Sequence, residues 1–321
     1  MSYQNKALRN ILFAALAAVT LIIFAEGIPA QAATSAPVKI STTATLPPTV
    51  DELQNASYTG IDTSPIKLTH GSYVGVPYLP GIANPQRIEL LDGLLATGDL
   101  NGDGASEYVV FLSENNGGTG TFLYMAVMGR SNGKILNIAT VRVGDRAAVR
   151  SLVIDKGQIT LDLLQFGAKD LACCPSELAT RVWTLERSGL VERVAKKRMG
   201  ILKPALLEGV QWLYRGGTQP GEGAGATLTF DKEHISGSGG CNRYRGKASF
   251  TKVPGELSIK ASKSDNKECG VQAMTDENKY LELLRRVVRF GYYQGDLTLT
   301  WQKKDGTPEV MRFTPRKGAA Q

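Results

Sequence analysis

The sequence predicts two successive folds. An all-β antiparallel domain fills the N-terminal part, and an α+β domain follows, in which an antiparallel sheet carries one packed helix. Three observations carry this expectation. From Tyr58 onward, short runs rich in β-branched and aromatic residues alternate with turn residues, without a βαβ rhythm. One stretch of the mature chain, near residue 280, repeats apolar residues at helical spacing. A glycine-rich run, Gly237–Gly246, holds Cys241, and the next cysteine, Cys269, stands just before that helix.

In chain order, Lys6 and Arg9 precede an apolar run from Ile11 to Ala25, and Ala30-Gln31-Ala32 places small residues at the −3 and −1 positions. Residues 1–32 therefore read as a secretory signal peptide cleaved after Ala32. The apolar run is short for a retained membrane anchor, and no cysteine near the cleavage site offers a lipid attachment point. Residues 33–57, rich in Thr, Ala and Pro at their start, read as a flexible linker, with a short helix or turn at Val50–Leu53.

The first folded domain is expected over residues 58–195. Its strands are read at Tyr108–Leu112, Phe122–Met128, Ile135–Val143, Ala148–Ile154, Ile159–Phe166 and Arg181–Glu186. Asn132-Gly133 is a strong hairpin signal, because both central positions of a tight hairpin turn need positive φ, and Lys156-Gly157 separates two further strands. The composition shifts around residues 195–208, where Lys196-Lys197-Arg198 leads into Pro204.

The second domain is expected over residues 205–316. Strands are read at Gln211–Leu213, Thr227–Phe230, Ile235–Gly237, Lys247–Phe250 and Leu257–Ile259. Thr275 is placed as the cap of a helix whose first turn carries Asp276 and Glu277, where negative charge suits the helix dipole. Tyr280, Leu283, Leu284, Val287 and Val288 form its apolar stripe, Arg285, Arg286 and Arg289 its last turns, and Gly291 its end. A hairpin of Leu297–Trp301 and Val310–Thr314 closes the chain.

Export places the four cysteines in an oxidising compartment. Of the three possible pairings, the spacing favours Cys241 with Cys269. Adjacent Cys173 and Cys174 form either a vicinal disulfide or two separate thiols. Their spacing lacks the C-x-x-C pattern of redox sites, which favours a structural role.

Charge is unevenly placed. Of 37 Lys+Arg and 30 Asp+Glu, residues 33–199 hold 16 of each sign, and residues 200–321 hold 19 basic against 13 acidic. The excess favours an anionic envelope component as a partner, beside the plainer reading of a solvated basic face. Arg243, Arg245 and Lys247 beside Tyr244 resemble the cation–aromatic mix of nucleic-acid surfaces, but an exported chain is not expected to meet nucleic acid.

No chemistry of turnover is visible. His70 and His234 are the two histidines, each in an expected turn and neither in a recognisable motif, and the H-E-x-x-H and G-K-[ST] patterns are absent. One candidate metal site remains. Asp99, Asn101, Asp103 and Glu107 stand at positions 1, 3, 5 and 9 of a D-x-N-x-D-G-x-x-E loop, hard oxygen donors at the spacing calcium uses. Val110 stands where an EF-hand has its bidentate Glu, so the nine-residue form instead resembles the calcium loops of β-propeller repeats. A polar turn held by Asx hydrogen bonds is the alternative.

Two family resemblances complete the reading. Leu207…Trp212-Leu213, Leu228-Thr229-Phe230, Ile235-Ser236-Gly237, the run Gly240-Cys241-Asn242-Arg243-Tyr244-Arg245-Gly246, Glu268-Cys269 ahead of Glu277…Tyr280…Leu284, and Leu297-Thr298-Leu299 stand in the order of META domains. The C-terminal part thus resembles that family, which includes the HslJ heat-shock lipoprotein. Lys267-Glu268-Cys269 departs from the Met-Ala-Cys-like run usual there.

More weakly, the earlier part resembles the β domain that often precedes META domains in exported bacterial proteins. Gly98–Gly104, Gly118–Phe122, Gly144-Asp145-Arg146 and Cys173-Cys174-Pro175-Ser176 carry that similarity. The resemblances imply a non-enzymatic periplasmic or secreted envelope protein, linked to stress and acting by binding or scaffolding. The alternative is an inhibitor or accessory of an envelope enzyme such as a lysozyme-type hydrolase.

Overall fold

The described residues open on a helix cap. The structure, a computed structural model, describes residues 47–76, 84–170, 174–216 and 225–316, with the backbone alone described for 194–199. All of them belong to one compact unit. Thr49 starts helix α1 (Val50–Gln54) through a reciprocal capping box, its side chain accepting from Glu52 N–H while the Glu52 carboxylate accepts from Thr49 N–H. Leu53, Ala56 and Tyr58 are buried. The expected flexible linker therefore ends earlier than residue 57: burial of Leu53 and Ala56 fixes the segment from α1 to the ribbon of β1 (Ser57–Tyr58) and β2 (Ile66–Lys67).

A six-stranded antiparallel sheet follows. Its strands are β3 (Ser72–Val74), β4 (Arg87–Leu90), β5 (Ala96–Gly98), β6 (Glu107–Asn115), β7 (Phe122–Ser131) and β8 (Lys134–Asp145). The order is β3-β4-β6-β7-β8, with β5 also paired to β6. Both faces of β6 are covered, so its run Tyr108–Leu112 is apolar throughout rather than alternating. Tyr108, Val110 and Leu112 face Tyr58, Ile66 and Leu68, whereas Val109 and Phe111 face the opposite core with Trp183. That second core is closed by a four-stranded meander of β9 (Ala148–Asp155), β10 (Gln158–Gln165), β11 (Glu177–Glu186) and β12 (Gly189–Ile201).

The predicted hairpin turn has the required backbone, Asn132 and Gly133 at φ 50° and 77°, and Lys156-Gly157, between the strands it separates, turns in the same way at 48° and 73°. Strand β12 carries the basic run Lys196-Lys197-Arg198, a composition tolerated on an edge strand that pairs on one side only.

The C-terminal sheet has eight strands. They are β13 (Gln211–Tyr214), β14 (Thr227–Asp231), β15 (His234–Ser238), β16 (Arg243–Phe250), β17 (Leu257–Lys263), β18 (Val287–Tyr293), β19 (Asp296–Gln302) and β20 (Pro308–Pro315), ordered β17-β16-β15-β14-β13-β20-β19-β18. A bridge between Glu256 and Arg289 brings the two ends of the sheet together. Helix α2 (Val271–Arg285) lies against the inner face, burying Tyr280, Leu281 and Leu284 among Tyr214, Tyr244, Ile259 and Phe313.

Three expectations about this helix are corrected. It begins at Val271 after Gly270, and Thr275 is inside it, donating its hydroxyl to Val271 O at 2.8 Å instead of capping. Glu277 is therefore in the second turn and fully buried. Val287, Val288, Arg289 and Gly291 belong to β18, so three strands close the chain instead of a hairpin. Tertiary pairing decides this: Val287, Phe290 and Tyr292 are buried, and β18 pairs along β19.

The two parts share a seam. Leu164, Leu178 and Leu202 belong to the same apolar cluster as Trp212, Phe230 and Phe290. The β18–β19 turn, Gln294-Gly295, docks on β9, Gly295 N–H donating to Val149 O at 2.9 Å. Arg150 lies 4.9 Å from the centre of the Tyr292 ring, and Arg312 reaches both Asp92 at 3.4 Å and Asp296 at 3.2 Å.

Candidate functional site

The glycine-rich run forms the turn between β15 and β16 and the first half of β16. Three of its four glycines have a steric reason, and the fourth, Gly240, has a φ of 108°. A Cβ on Gly237 would lie 2.0 Å from Thr227 O, one on Gly246 would lie 2.0 Å from Lys260 O, and one on Gly239 would lie 2.6 Å from Glu277 Cγ. Backbone passes here too closely for any side chain.

Asn242 is the centre of the turn and is 2% exposed. Its N–H donates to Glu277 Oε1 at 2.6 Å and its Nδ2 to Glu277 Oε2 at 2.9 Å. Its Oδ1 accepts from Lys267 N–H at 2.5 Å, and its carbonyl accepts from Gly239 N–H at 2.8 Å. Lys263 Nζ, at the end of β17, completes the cluster 2.9 Å from Glu277 Oε2.

Burial alone would push the Glu277 carboxyl up; the Asn242 side chain, Lys263 and the Asn242 N–H outweigh it and hold the group below the ordinary carboxylate range. Cys241 is bonded to Cys269, with a Cα–Cα distance of 6.0 Å, tying the turn to the segment that enters α2. The predicted pairing is present.

Tyr244, two residues on, turns inward. Its hydroxyl donates to Thr227 O at 2.7 Å and lies 3.0 Å from the Tyr280 hydroxyl, which reaches the same carbonyl at 3.3 Å. Burial pushes both phenols up, so they stay neutral donors. The motif thus joins β14, β15, β16, the segment before α2 and α2 itself through groups that satisfy one another. Glu277, Lys263, Tyr280 and Thr227 were not picked out as partners of the motif from sequence, since they stand far along the chain from Asn242 and only the fold brings them near.

The Asp99–Glu107 loop is built differently. Asp99 accepts from Gly102 N–H at 2.6 Å and from Gly104 N–H at 3.0 Å, both glycines having positive φ. Asn101 Oδ1 accepts from Asp103 N–H, and Asp103 Oδ1 from Ala105 N–H, each at 2.8 Å. Glu107 is 3% exposed and accepts from Leu100 N–H at 2.8 Å and from Asn101 Nδ2 at 3.1 Å. Burial pushes its carboxyl up, opposed by the Leu100 bond and reinforced by the charges of Asp103 and Asp99.

The four expected calcium ligands therefore stand in one loop, with their oxygens engaged by the loop's own N–H groups. Among the described residues, no group of three or more His, Cys, Asp or Glu is placed to hold a metal ion. Cys174 is disulfide-bonded, and Cys173 lies outside the described residues. A cleft of about 350 Å³ at the seam, lined by Leu91, Leu123, Arg146, Tyr293 and Gln294 among others, contains none of the predicted site residues.

Comparison with known proteins bears on the C-terminal part. Residues 206–315 match the META domain family model, from the turn before β13 to the end of β20. No curated protein matches the chain. An NMR structure of a protein from Burkholderia xenovorans is 23% identical, covering 40% of this chain and 95% of its own, with a TM-score of 0.27. No helix among the described residues is long and apolar enough to cross a membrane.

Three outcomes are expected. Replacing Cys241 by Ser removes a bridge of sequence separation 28 and lowers stability by about 3 kcal/mol in denaturant unfolding; unchanged melting would remove the clasp from the account. The Glu277 carboxyl is depressed in the folded state, so its contribution is present above the unfolded value near pH 4.3 and is lost as pH falls through the folded value. The stability gap between the parent and Glu277→Gln should accordingly be widest near neutrality and shrink on acidification below about pH 4. For the first-domain loop, Asp99→Ala should lower stability by about 1 kcal/mol in calorimetry with chelator present, through two lost backbone bonds. Identical melting of both proteins in chelator would mean that the loop is not held by its own hydrogen bonds.

Proposed function

We propose, with the META domain of residues 206–315 as premise, that this protein is a non-enzymatic, exported envelope protein that acts as a stress-related binding or scaffolding module. The observation that carries this reading is the inward commitment of the most distinctive motif. Asn242, Glu277, Tyr244 and Tyr280 spend their polar atoms on one another and on the backbone. A nucleophile, acid or base needs an accessible reacting atom, and none of these four offers one. What the domain presents outward is a folded surface rich in cations.

Export is supported by the signal-like residues 1–32, which lie outside the described residues, and by the Cys241–Cys269 disulfide, a bond that persists in oxidising compartments. A periplasmic or secreted location follows from that reading, and an envelope protein or an anionic envelope component is the partner it calls for.

The full chain expressed in a bacterial host should be cleaved after Ala32, recovered outside the cytoplasm, and retained on isolated cell-envelope material. Sedimentation with that material should fall as salt rises, because contacts between opposite charges at a surface are screened. Recovery of the uncleaved chain in the cytoplasm, or no sedimentation with envelope material at low salt, would overturn the proposal.

A further inference from the structure

Strands β15, β16 and β17 bury one face under α2 and turn the other to solvent. Ile235, Tyr244, Ala248, Ile259 and Ala261 point inward. Outward stand Arg243, Arg245 and Lys247 on β16, Lys260 on β17 and His234 on β15, all exposed. The register places Lys247 directly between His234 and Lys260, and Arg245 directly between Ser236 and Ser262. The outward positions of the three strands contain no carboxylate; the remainder are serines.

Successive outward residues lie about 7 Å apart along a strand and about 4.8 Å apart across strands. The result is a lattice of cations separated by hydroxyls.

This lattice has no internal compensation. A like-charge pair directly across two strands, here Lys247 and Lys260, is destabilising. None of Arg243, Arg245, Lys247 and Lys260 forms an ion pair with another described residue. Asp265, the acid nearest the start of β16, accepts from Arg243 N–H at 2.8 Å. Asp231, the last residue of β14, stands directly across from His234 at the border of this face and forms no ion pair with these four cations. Other cations in or beside the same sheet are matched, Lys263 by Glu277, Lys303 by Glu309 and Arg312 by Asp296. An anion arriving from outside would relieve the repulsion that the fold leaves in place.

We propose that the outer face of β15–β17 is the docking surface of the module and that its occupant is an anionic polysaccharide. The chemistry of the face selects this partner. Guanidinium groups bind carboxylates through paired hydrogen bonds, and serine hydroxyls between them match sugar hydroxyls. Tyr244 is buried, so no aromatic platform is offered to nucleic-acid bases. No large apolar side chain projects from the three strands to enter a lipid surface or anchor a protein interface. The proposal rests on the reading of the chain as an envelope-binding module and names the surface and ligand class of that binding.

The test uses the full chain, alginate as the polyuronate probe, and neutral pullulan as control. The parent should bind alginate and not pullulan at low salt. The double variant Arg245→Glu/Lys247→Glu should bind at least tenfold more weakly, and Arg245→Gln/Lys247→Gln should show an intermediate loss, with thermal melting of both variants at or above that of the parent. No binding of the parent to alginate overturns the proposal, as does equal binding by the parent and both variants. Tighter binding of duplex DNA or phosphatidylglycerol vesicles than of alginate at the same salt assigns the face to another partner and also overturns it. Sedimentation with envelope material separates this inference from the broader reading. Failure of the parent to sediment removes the reading itself, whereas sedimentation of the parent and the reversed variant alike keeps the reading and removes this surface from it.

Discussion

A carboxylate with no exposure to water sits between the sheet and the helix of the C-terminal part, and much of that part is arranged around it. An isolated buried charge is costly, so Glu277 has to be surrounded by donors. Three donors do so from two places: the N–H and the side-chain amide of Asn242 on the β15–β16 turn, and the ammonium of Lys263, the last residue of β17. To bring Asn242 within 2.6 Å, the turn must lie flat on the helix, which leaves no room for a side chain at Gly239. The disulfide then holds the same turn to the chain entering α2. The Gly-Cys-Asn-x-Tyr-x-Gly run is thus the mould of one buried ionic cluster.

How much of this was legible in the sequence depends on the range of the interaction. Tyr108–Leu112 and Phe122–Met128 were readable because continuous apolar runs bounded by Asn-Gly or Gly-rich turns leave few alternatives to a buried strand. Cys241 with Cys269 was readable because each stands beside an element boundary. Val287 and Val288 were misplaced because the positions i, i+3 and i+4 of a helix also fit a strand over so few residues, and pairing with β19 settled the matter. The helix start was misplaced because Thr275 has the right chemistry for a cap, while the actual cap position holds Gly270, which has no side chain to announce it. Glu277 read as a dipole-compensating residue of a first turn. Its true role needed Asn242, 35 residues earlier, to be brought against it by the sheet.

The outer face of β15–β17 illustrates the same division. Arg243, Arg245 and Lys247 alternate with Tyr244 and Gly246, so their common face follows from the two-residue period of a strand. That Lys260 and His234 join them follows only from the register, which sequence spacing does not contain. The same register that builds the Glu277 cluster on the inside stacks like charges on the outside. One pairing pattern therefore serves stability on one face and recognition on the other.

The ionic cluster and the disulfide also depend on each other. A buried ion cluster adds little net stability compared with apolar packing, and breaking it from one side leaves a desolvated charge behind. Asn242 is the group whose displacement would do so, and its immediate neighbour is Cys241. The bridge removes freedom from the unfolded chain, an effect of about 3 kcal/mol for this separation. It also keeps the turn from lifting off Glu277. In a reducing compartment that constraint disappears while the requirement to satisfy the buried carboxylate remains. The domain is consequently most stable where the disulfide is kept oxidised.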